Sequence, residues 1–333
     1  MKTIVYHGPK MLALEEHAEP IAETGEVVVK VEAVGICGSE LEGYLGHSSV
    51  RFPPLIMGHE FCGIIATMSE AHADFSVGDK IVVNPLIPCM QCNRCSRGQQ
   101  NICLQRKLVG IHRPGAFAEY VTVPLNNLYK VPQDMNSALA SLAEPLAVCI
   151  HGLKIGYKPM KDMLIIGAGP IGLLTLQVAL HLGAGRVIVV DKQPARLQVA
   201  TKLGAYAVTP EKLTETVNQL FDGEGVDTIV DCVGVEVTRE QALQLINPGG
   251  TIVMVGLGHN QSKLSINHLV RQEIAMVGSY TYSEDDFKQA LHLLMNNKIN
   301  DDWIIERPLS EASESFEMLV SGKTDICKII LKP

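Results

Sequence analysis

The chain has 333 residues, of which 47% are hydrophobic and 19% are charged. This composition is typical of folded proteins and excludes a disordered chain, and the length allows two domains with a core in each. The formal net charge of −8 and the scattered lysines and arginines argue against the basic surface that nucleic-acid binding needs. The N-terminus, MKTIVYHGPK, has no basic-then-apolar signal segment, so we expect a cytoplasmic protein.

The N-terminal region, to about residue 120, combines short apolar runs with frequent turn residues. The runs EVVVKVEAVGI, FCGIIATM and DKIVVNPL have the length and the β-branched content of strands. They predict a strand-rich, irregular domain.

Strands alternate with helices in the segment that begins near residue 161. The short apolar runs MLIIGAG, RVIVVD, DTIVDCVG and GTIVMVG are separated by segments with helical spacing. This alternation predicts a parallel sheet with helices on both faces. The uncharged stretch Met163–Leu180 is long enough for a membrane span. Glycines and a proline interrupt it, so we predict a strand, a turn and a helix, and no membrane partner.

A glycine-rich turn, Gly167-Ala-Gly169-Pro-Ile-Gly172, joins the first of these strands to its helix. Gly167 permits the tight turn, Gly169 lets the backbone approach a pyrophosphate, and Gly172 allows helix and strand to pack closely. The helix N-terminus attracts phosphate. Asp191 ends the second strand and can bind ribose hydroxyls while repelling a 2′-phosphate, which predicts NAD rather than NADP. Arg196 either lies along the adenosine or is a solvated helix charge.

Four of the nine cysteines, Cys89, Cys92, Cys95 and Cys103, fall within fifteen residues. Four thiolates in one polar loop predict a closed structural zinc site, whose metal supplies folding energy that the loop itself lacks. An iron–sulfur cluster and a zinc-ribbon nucleic-acid module are the alternatives. The acidic chain argues against the second.

Three further motifs carry candidate catalytic side chains. GICGSE places Cys37 after a strand, with Ser39 two residues on; GHEFCG places His59 and Glu60 together; and LAEPLAV contains Glu144. A cysteine, a histidine and a carboxylate form a mixed ligand set that zinc accepts. Each motif alone is ordinary, and the combination is informative.

These motifs, with the four-cysteine lobe and GAGPIG, occur in the order and approximate spacing of the medium-chain zinc-dependent alcohol dehydrogenase family, which the chain resembles over essentially its full length. The glutamate in AEPLAV is similar to the polyol branch, which includes sorbitol, galactitol-phosphate and threonine dehydrogenases. The resemblance implies an α/β fold. A GroES-like β-rich catalytic domain would span residues 1–152, and a Rossmann doubly wound parallel sheet that binds NAD would span 153–285. Residues 286–333 would return to the catalytic domain.

The resemblance also implies an activity, the oxidation of a secondary alcohol to a ketone with hydride transfer to NAD. The alcohol would be a polyol, a sugar alcohol or its phosphate. Cys37 and His59 would bind a catalytic zinc that acts as a Lewis acid, with Glu60 as a third ligand, and Glu144 would either bind the metal or hold its water. Ser39 would take the hydroxyl proton. The remaining cofactor-binding positions would be Pro170, Ile171, Val255, Gly256, Leu257 and Tyr280.

One position departs from the family pattern. Relatives often read C-G-S-D-x-H, and the histidine ends a proton relay, whereas this chain has Glu42 there. Glu42 either relays protons or is a solvated loop charge. The substrate is expected near Tyr44, the Ile111-His112 loop and residues 280–282, between the two domains. Three further side chains are candidates for meeting a phosphate, although each fits an ordinary surface residue better: His47, Arg51 and His112.

Other functions stay open on the sequence alone. An L-threonine dehydrogenase or a simple secondary-alcohol or butanediol dehydrogenase is the nearest alternative, and a noncatalytic NAD sensor is the alternative from another class. Family resemblance implies a homodimer or homotetramer, with contacts at the edge of the Rossmann sheet around residues 270 to 290.

Overall fold

The computed structural model describes residues 1–322 and 326–333. Two units are distinguished by their internal contacts. The first comprises residues 1–144, 283–297 and 301–333, and the second comprises residues 145–282 and 298–300. The first division therefore comes at 144, earlier than the expected 152, because the helix that follows Glu144 belongs mainly to the second unit. The return to the first unit comes at 283, close to the expected 286.

The N-terminal part of the first unit is built from strands with few helices. Its strands are β1 (Lys2–Gly8), β2 (Met11–Glu16), β3 (Glu26–Gly35), β4 (Glu60–Met68), β5 (Lys80–Val83), β6 (Leu86–Ile87), β7 (Lys107–Leu108), β8 (Tyr120–Pro124) and β9 (Leu128–Lys130). Its helices are α1 (Gly38–Tyr44) and α2 (Ser137–Ala140), and α3 (Ala143–Gly156) leads into the second unit.

The second unit alternates strands and helices, as the sequence predicts. Its strands are β10 (Met163–Ile166), β11 (Val187–Val190), β12 (Tyr206–Val208), β13 (Val226–Asp231), β14 (Ile246–Met254) and β15 (Ala275–Gly278). Its helices are α4 (Pro170–His181), α5 (Pro194–Lys202), α6 (Pro210–Leu220), α7 (Glu236–Leu245) and α8 (Ile266–Arg271).

The parallel sheet of the second unit has the order β12-β11-β10-β13-β14-β15. All of its neighbouring strands pair in parallel. The strand order reverses beside β10, and ligands of doubly wound sheets bind at the carboxyl end of such a reversal. Gly167 follows β10 directly, so the glycine-rich turn lies at this point.

The chain then returns to the first unit through α9 (Glu284–Met295), β16 (Ile304–Pro308), α10 (Ala312–Ser321) and β17 (Lys328–Lys332). The large sheet of this unit has the order β16-β17-β3-β4-β5-β9, and β8 also pairs with β3. Strand β17 pairs with β3 antiparallel, with Ile330 opposite Gly35. Strand β4 lies on the other side of β3, with Glu60 opposite Gly35. Three strands from distant parts of the sequence therefore meet at Gly35.

Aromatic side chains fill part of the core of the first unit. The rings of Tyr44 and Phe316 lie 5.3 Å apart, and those of Phe117 and Phe316 lie 5.8 Å apart at 87°. All three side chains are buried. The ring of Tyr44, a residue expected near the substrate, packs in this core.

One helical stretch, Ser137–Gly156, is long and apolar enough by length and composition to cross a membrane. Its most apolar window is 72% buried within the protein, which is usual for a core helix of a globular domain. The stretch Met163–Leu180 instead forms β10, the glycine-rich turn and most of α4.

Candidate active site and nucleotide site

The four clustered cysteines bring their sulfur atoms together in the loop between β6 and β7. The Sγ atoms lie 3.5 Å apart for Cys89 and Cys103, 3.6 Å for Cys92 and Cys95, 3.8 Å for Cys92 and Cys103, and 4.0 Å for Cys89 and Cys95. Four sulfurs at about 2.3 Å from a tetrahedral zinc ion would lie about 3.8 Å apart. The cluster therefore has the size that one ion requires. An iron–sulfur cluster fits less well, because it places its thiolates on different iron atoms, farther apart.

A second cluster joins Cys37, His59 and Glu60. One ligand atom from each residue lies within 4.8 Å of the other two, and His59 and Glu60 are buried. Cys37 is the N-cap of α1, and the two other residues stand at the start of β4. A thiolate, an imidazole and a carboxylate suit a zinc ion with an open coordination position. Glu144 is not part of this cluster; its buried carboxylate lies in the first turn of α3.

Glu40 orients two of these ligands, although the sequence motifs did not single it out. Its Oε1 accepts hydrogen bonds from Nδ1 of His59 at 2.8 Å and from the backbone N–H of Gly58 at 2.8 Å. Its Oε2 accepts from the N–H of Cys37 at 3.0 Å. Burial raises the pKa of Glu40. The charges of His59 and Arg51 and these hydrogen bonds lower it by more than burial raises it, so the pKa lies below its ordinary value and the carboxylate stays ionised. In the absence of a metal, burial lowers the pKa of His59, but its contacts with Glu40 and Cys37 raise it above its ordinary value. A neutral ring with its proton on Nδ1 would offer Nε2 to a metal ion.

Lys328 is a buried cation of this site, and no sequence motif points to it. Its Nζ donates to Oε2 of Glu60 and, at 2.9 Å, to the carbonyl of Ile36. Burial lowers the pKa of Lys328, but Glu60 and Cys37 raise it above its ordinary value, so that it is charged. A Cβ atom on Gly35 would lie 2.4 Å from Oε2 of Glu60, so only glycine leaves room for the pair.

Ser39 and Arg51 extend the cluster. The hydroxyl of Ser39 donates to Sγ of Cys37 at 3.3 Å, and Nη2 of Arg51 donates to Oγ of Ser39 at 3.0 Å. Arg51 is 5% exposed, so its interpretation as a surface side chain is wrong. Glu42 instead lies at the surface, with Oε2 at 3.1 Å from Nδ1 of His47. His112 is exposed and accepts from the N–H of Leu108.

The nucleotide turn is shaped by its glycines. Gly167 has a φ of +98°, which a side chain would strain. A Cβ atom on Gly172 would lie 1.8 Å from the carbonyl oxygen of Gly167, whereas one on Gly169 would meet nothing nearer than 4.0 Å. Gly169 is the N-cap of α4, which begins at Pro170 and continues through Ile171. The free N–H groups at this helix start suit a pyrophosphate.

Asp191 ties the end of β11 to this turn. Its Oδ2 accepts from the N–H of Ala168 at 2.7 Å, and its Oδ1 accepts from the N–H of Gln193 at 2.8 Å. Nη1 of Arg196 lies 3.9 Å from Oδ2 of Asp191. The carboxylate is therefore fixed beside the turn, where a ribose would follow the pyrophosphate.

The remaining predicted cofactor residues follow β14 and β15. The N–H groups of Val255 and Gly256 both donate to the carbonyl of Asp231, at 3.0 and 2.9 Å. A Cβ atom on Gly256 would lie 2.3 Å from the backbone of Val233, so the loops after β13 and β14 pack closely there. Leu257 is 80% exposed and Tyr280 is 43% exposed.

Comparison with known proteins assigns the family. Residues 23–133 match the alcohol dehydrogenase GroES-like domain, and residues 170–296 match the zinc-binding dehydrogenase family. D-xylulose reductase A of Aspergillus oryzae is 32% identical, over 96% of this chain and 94% of its own length. L-threonine 3-dehydrogenase of Pyrococcus furiosus is 33% identical, over 100% of this chain and 98% of its own.

An alcohol dehydrogenase of Escherichia coli CFT073, solved with NADH, superimposes with a TM-score of 0.93 at 28% identity, over 100% of this chain and 99% of that one. Family matches in both units and full-length relatives confirm the predicted fold and the predicted cofactors, zinc and NAD. The chain belongs to the zinc-dependent, NAD-linked medium-chain alcohol dehydrogenase family, in its polyol branch.

Proposed function

We propose that the protein oxidises the secondary hydroxyl of a polyol, a sugar alcohol or a sugar-alcohol phosphate to a ketone and passes the hydride to NAD. The convergence of Cys37, His59 and Glu60 within 4.8 Å carries the proposal. A zinc ion bound there would supply Lewis acidity to the substrate hydroxyl. The nicotinamide receives the hydride, and the protein orients both reactants.

Each candidate residue of the site has a separate role in this reaction. Cys37, His59 and Glu60 would hold the catalytic ion, and Glu144 would either bind it or hold its water. Ser39 accepts a hydrogen bond from the substrate hydroxyl. Asp191 selects NAD by binding ribose hydroxyls.

The chemistry of the substrate rests on the relatives. Reduction of a ketose such as D-xylulose is the reverse of the oxidation of a polyol, and the relative that carries this activity in its name covers nearly the whole chain. A 3-dehydrogenase of L-threonine also oxidises a secondary alcohol, so L-threonine is the second candidate. Among the described residues, Nδ1 of His47 lies beside Glu42 and Nδ1 of His112 accepts from the N–H of Leu108, so neither contact supports a phosphorylated substrate.

A variant of Cys37 tests the proposal. Cys37→Ser is expected to bind one zinc ion per chain instead of two and to lose NADH formation with every alcohol in a panel of polyols, their phosphates and L-threonine. Cys149→Ser is the control, because Cys149 is a buried cysteine that donates to the carbonyl of Pro145. It should keep both ions and full turnover. Full turnover by Cys37→Ser with one ion lost would contradict the assignment.

We further propose that the protein is a homodimer formed through the edge of the parallel sheet. Strand β15 is the last strand of that sheet, and an edge strand offers unpaired backbone groups to a second copy. The preceding helix, α8, exposes Ile266 (59%) and Val270 (65%). We expect Val270→Glu to weaken the dimer in analytical ultracentrifugation, whereas Val237→Glu, at a valine of α7 that is 60% exposed, leaves it intact. A wild-type monomer would contradict this proposal.

We also propose a cytoplasmic location. A four-thiolate metal site needs reduced cysteines, which the cytosol maintains. Fractionation with an antibody against the chain would test this.

A further inference from the structure

Arg51 is a buried cation beside the candidate catalytic cluster. It lies in the segment between α1 and β4 and is 5% exposed. A Cβ atom on Gly43 would lie 2.7 Å from Cδ of Arg51, so the arginine stem crosses α1 where a glycine makes room for it. The backbone N–H of Arg51 donates to Oγ of Ser48 at 3.3 Å. Both ends of the side chain are therefore held, one at the backbone and one at Ser39.

The contact between Arg51 and Ser39 restricts how the serine hydroxyl can point. A guanidinium group donates hydrogen bonds and accepts none, so Nη2 of Arg51 occupies a lone pair of Oγ at 3.0 Å. The hydroxyl proton must then point elsewhere, and Sγ of Cys37 lies 3.3 Å from Oγ. One lone pair of Oγ is left over. That lone pair can accept a hydrogen bond from a substrate hydroxyl.

No carboxylate of the described residues forms an ion pair with Arg51. The charge of Arg51 lowers the pKa of Glu40, but both oxygens of Glu40 already accept hydrogen bonds, from His59, Gly58 and Cys37. Nε of Arg51 is buried and has no hydrogen-bond partner among the described residues. Within the same part of the chain, the hydrogen bond to Ser39 is the polar contact of the guanidinium group.

We propose that Arg51 is a positioning residue for Ser39. It fixes the serine hydroxyl as an acceptor for the substrate hydroxyl, at a site where the family's relay histidine is replaced by the surface residue Glu42. The proposal rests on the proposed function, because it assigns Ser39 to the reacting hydroxyl. Without Arg51, the hydroxyl of Ser39 can rotate away from Cys37 and donate to the substrate oxygen, so it no longer accepts the hydrogen bond of the substrate hydroxyl.

A double-mutant cycle between Arg51 and Ser39 tests this coupling. We expect Arg51→Met to lower kcat about tenfold or more with little change in KM, and Arg51→Lys to recover part of the loss. In the Ser39→Ala background, Arg51→Met should change kcat less than about twofold, since the group through which it acts is gone. Arg307→Met is the matched control: Arg307 is a partly buried arginine paired with Glu311 and Glu314. It should change kcat in neither background.

A spectroscopic measurement separates this inference from the activity. With cobalt(II) at the Cys37 site and zinc left in the four-cysteine site, Arg51→Met and Ser39→Ala should each shift the thiolate-to-metal charge-transfer band to lower energy. Both changes remove the hydrogen bond that Cys37 accepts, so the double variant should shift it no further. Metal content and thermal midpoint are recorded for every variant.

Three results would overturn the proposal. Equal losses of kcat from Arg51→Met in the two backgrounds would mean that Arg51 acts independently of Ser39. A rise in KM confined to anionic substrates would mean that Arg51 binds a substrate charge instead. An unshifted cobalt band in Arg51→Met would mean that the arginine does not orient the hydroxyl. If the wild-type enzyme oxidises none of the alcohols, the proposed function fails, and the cobalt spectra still decide the role of Arg51.

Discussion

Two lysines of the same strand illustrate how burial determines the contribution of an ion pair to stability. Lys328 and Lys332 stand at the two ends of β17. The side chain of Lys328 is 1% exposed and bonded to Glu60, whereas that of Lys332 is 37% exposed and lies 3.4 Å from Glu306. Breaking a buried pair leaves an uncompensated charge in the interior, while an exposed pair is screened by water.

We therefore expect Lys328→Met to lower the free energy of unfolding of the metal-free protein by about 3–5 kcal/mol. Lys332→Met should change it by less than about 1 kcal/mol. Denaturant unfolding of both variants measures the difference. The double variant Lys328→Met/Glu60→Gln should recover part of the loss, because no buried charge then lacks a partner. Equal effects of the two lysine variants would show that Lys328 is not the counter-ion of Glu60.

Asp191 is the residue whose charge we expect to select the cofactor. We expect Asp191→Ser to raise the ratio of kcat/KM with NADP to that with NAD about tenfold or more, because the repulsion of a 2′-phosphate disappears. Arg196, now 3.9 Å from the carboxylate, would be free to meet the phosphate. Steady-state kinetics with both cofactors measure the ratio. Asp227→Ser, at an aspartate that lies 3.9 Å from Lys161, should leave it unchanged.

In the turn between β10 and α4, two glycines are required for different reasons, one by the fold and one by the cofactor. Gly172 is required by the fold, because its Cβ would overlap the backbone oxygen of Gly167. Gly169 has room for a methyl group and a φ of −74°, so the fold tolerates a side chain there. We expect that a side chain at Gly169 would instead hinder cofactor binding, because the pyrophosphate must approach the backbone at this residue.

Alanine at these two glycines is expected to give opposite results. Gly172→Ala should lower stability by about 3 kcal/mol or more, through backbone displacement. Gly169→Ala should shift the thermal midpoint by less than about 4 °C and still weaken NADH binding at least about tenfold. Calorimetry and NADH fluorescence titration measure the two quantities. Loss of stability in Gly169→Ala, or normal NADH binding by it, would refute this division of roles.

Sequence patterns predict the elements of the second unit well and the neighbours of the metal ligands poorly. The apolar runs of β10 and β11 are buried at every position, and those of β13 and β14 have buried centres, so each run is easy to identify. The four-cysteine loop is equally evident, because its ligands are close in sequence. The contact of Glu40 with this site could have been predicted from the sequence, because Glu40 is a carboxylate three residues after Cys37. Lys328 carries no such signal, since strand pairing alone brings it to Glu60 from 268 residues away.

Arg51 shows a different limit. Its local sequence, SSVRFPP, is that of a polar loop, and such loops are usually exposed. Its burial depends on Gly43, on a different element, which leaves space for the stem. Whole-molecule packing therefore determines whether this arginine is a surface charge or part of the site.

The molecule as a whole is assembled from interleaved segments, with the second unit inserted between the parts of the first. The amino group of Lys328 reaches the carbonyl of Ile36 across 292 residues. During translation, Cys37, His59 and Glu60 emerge from the ribosome long before this lysine does. A nascent chain that has not reached β17 holds the three ligands without the cation that stabilises Glu60. We therefore expect the pair of Glu60 and Lys328, and with it the complete hydrogen bonding of this site, to form only after the second unit has been synthesised.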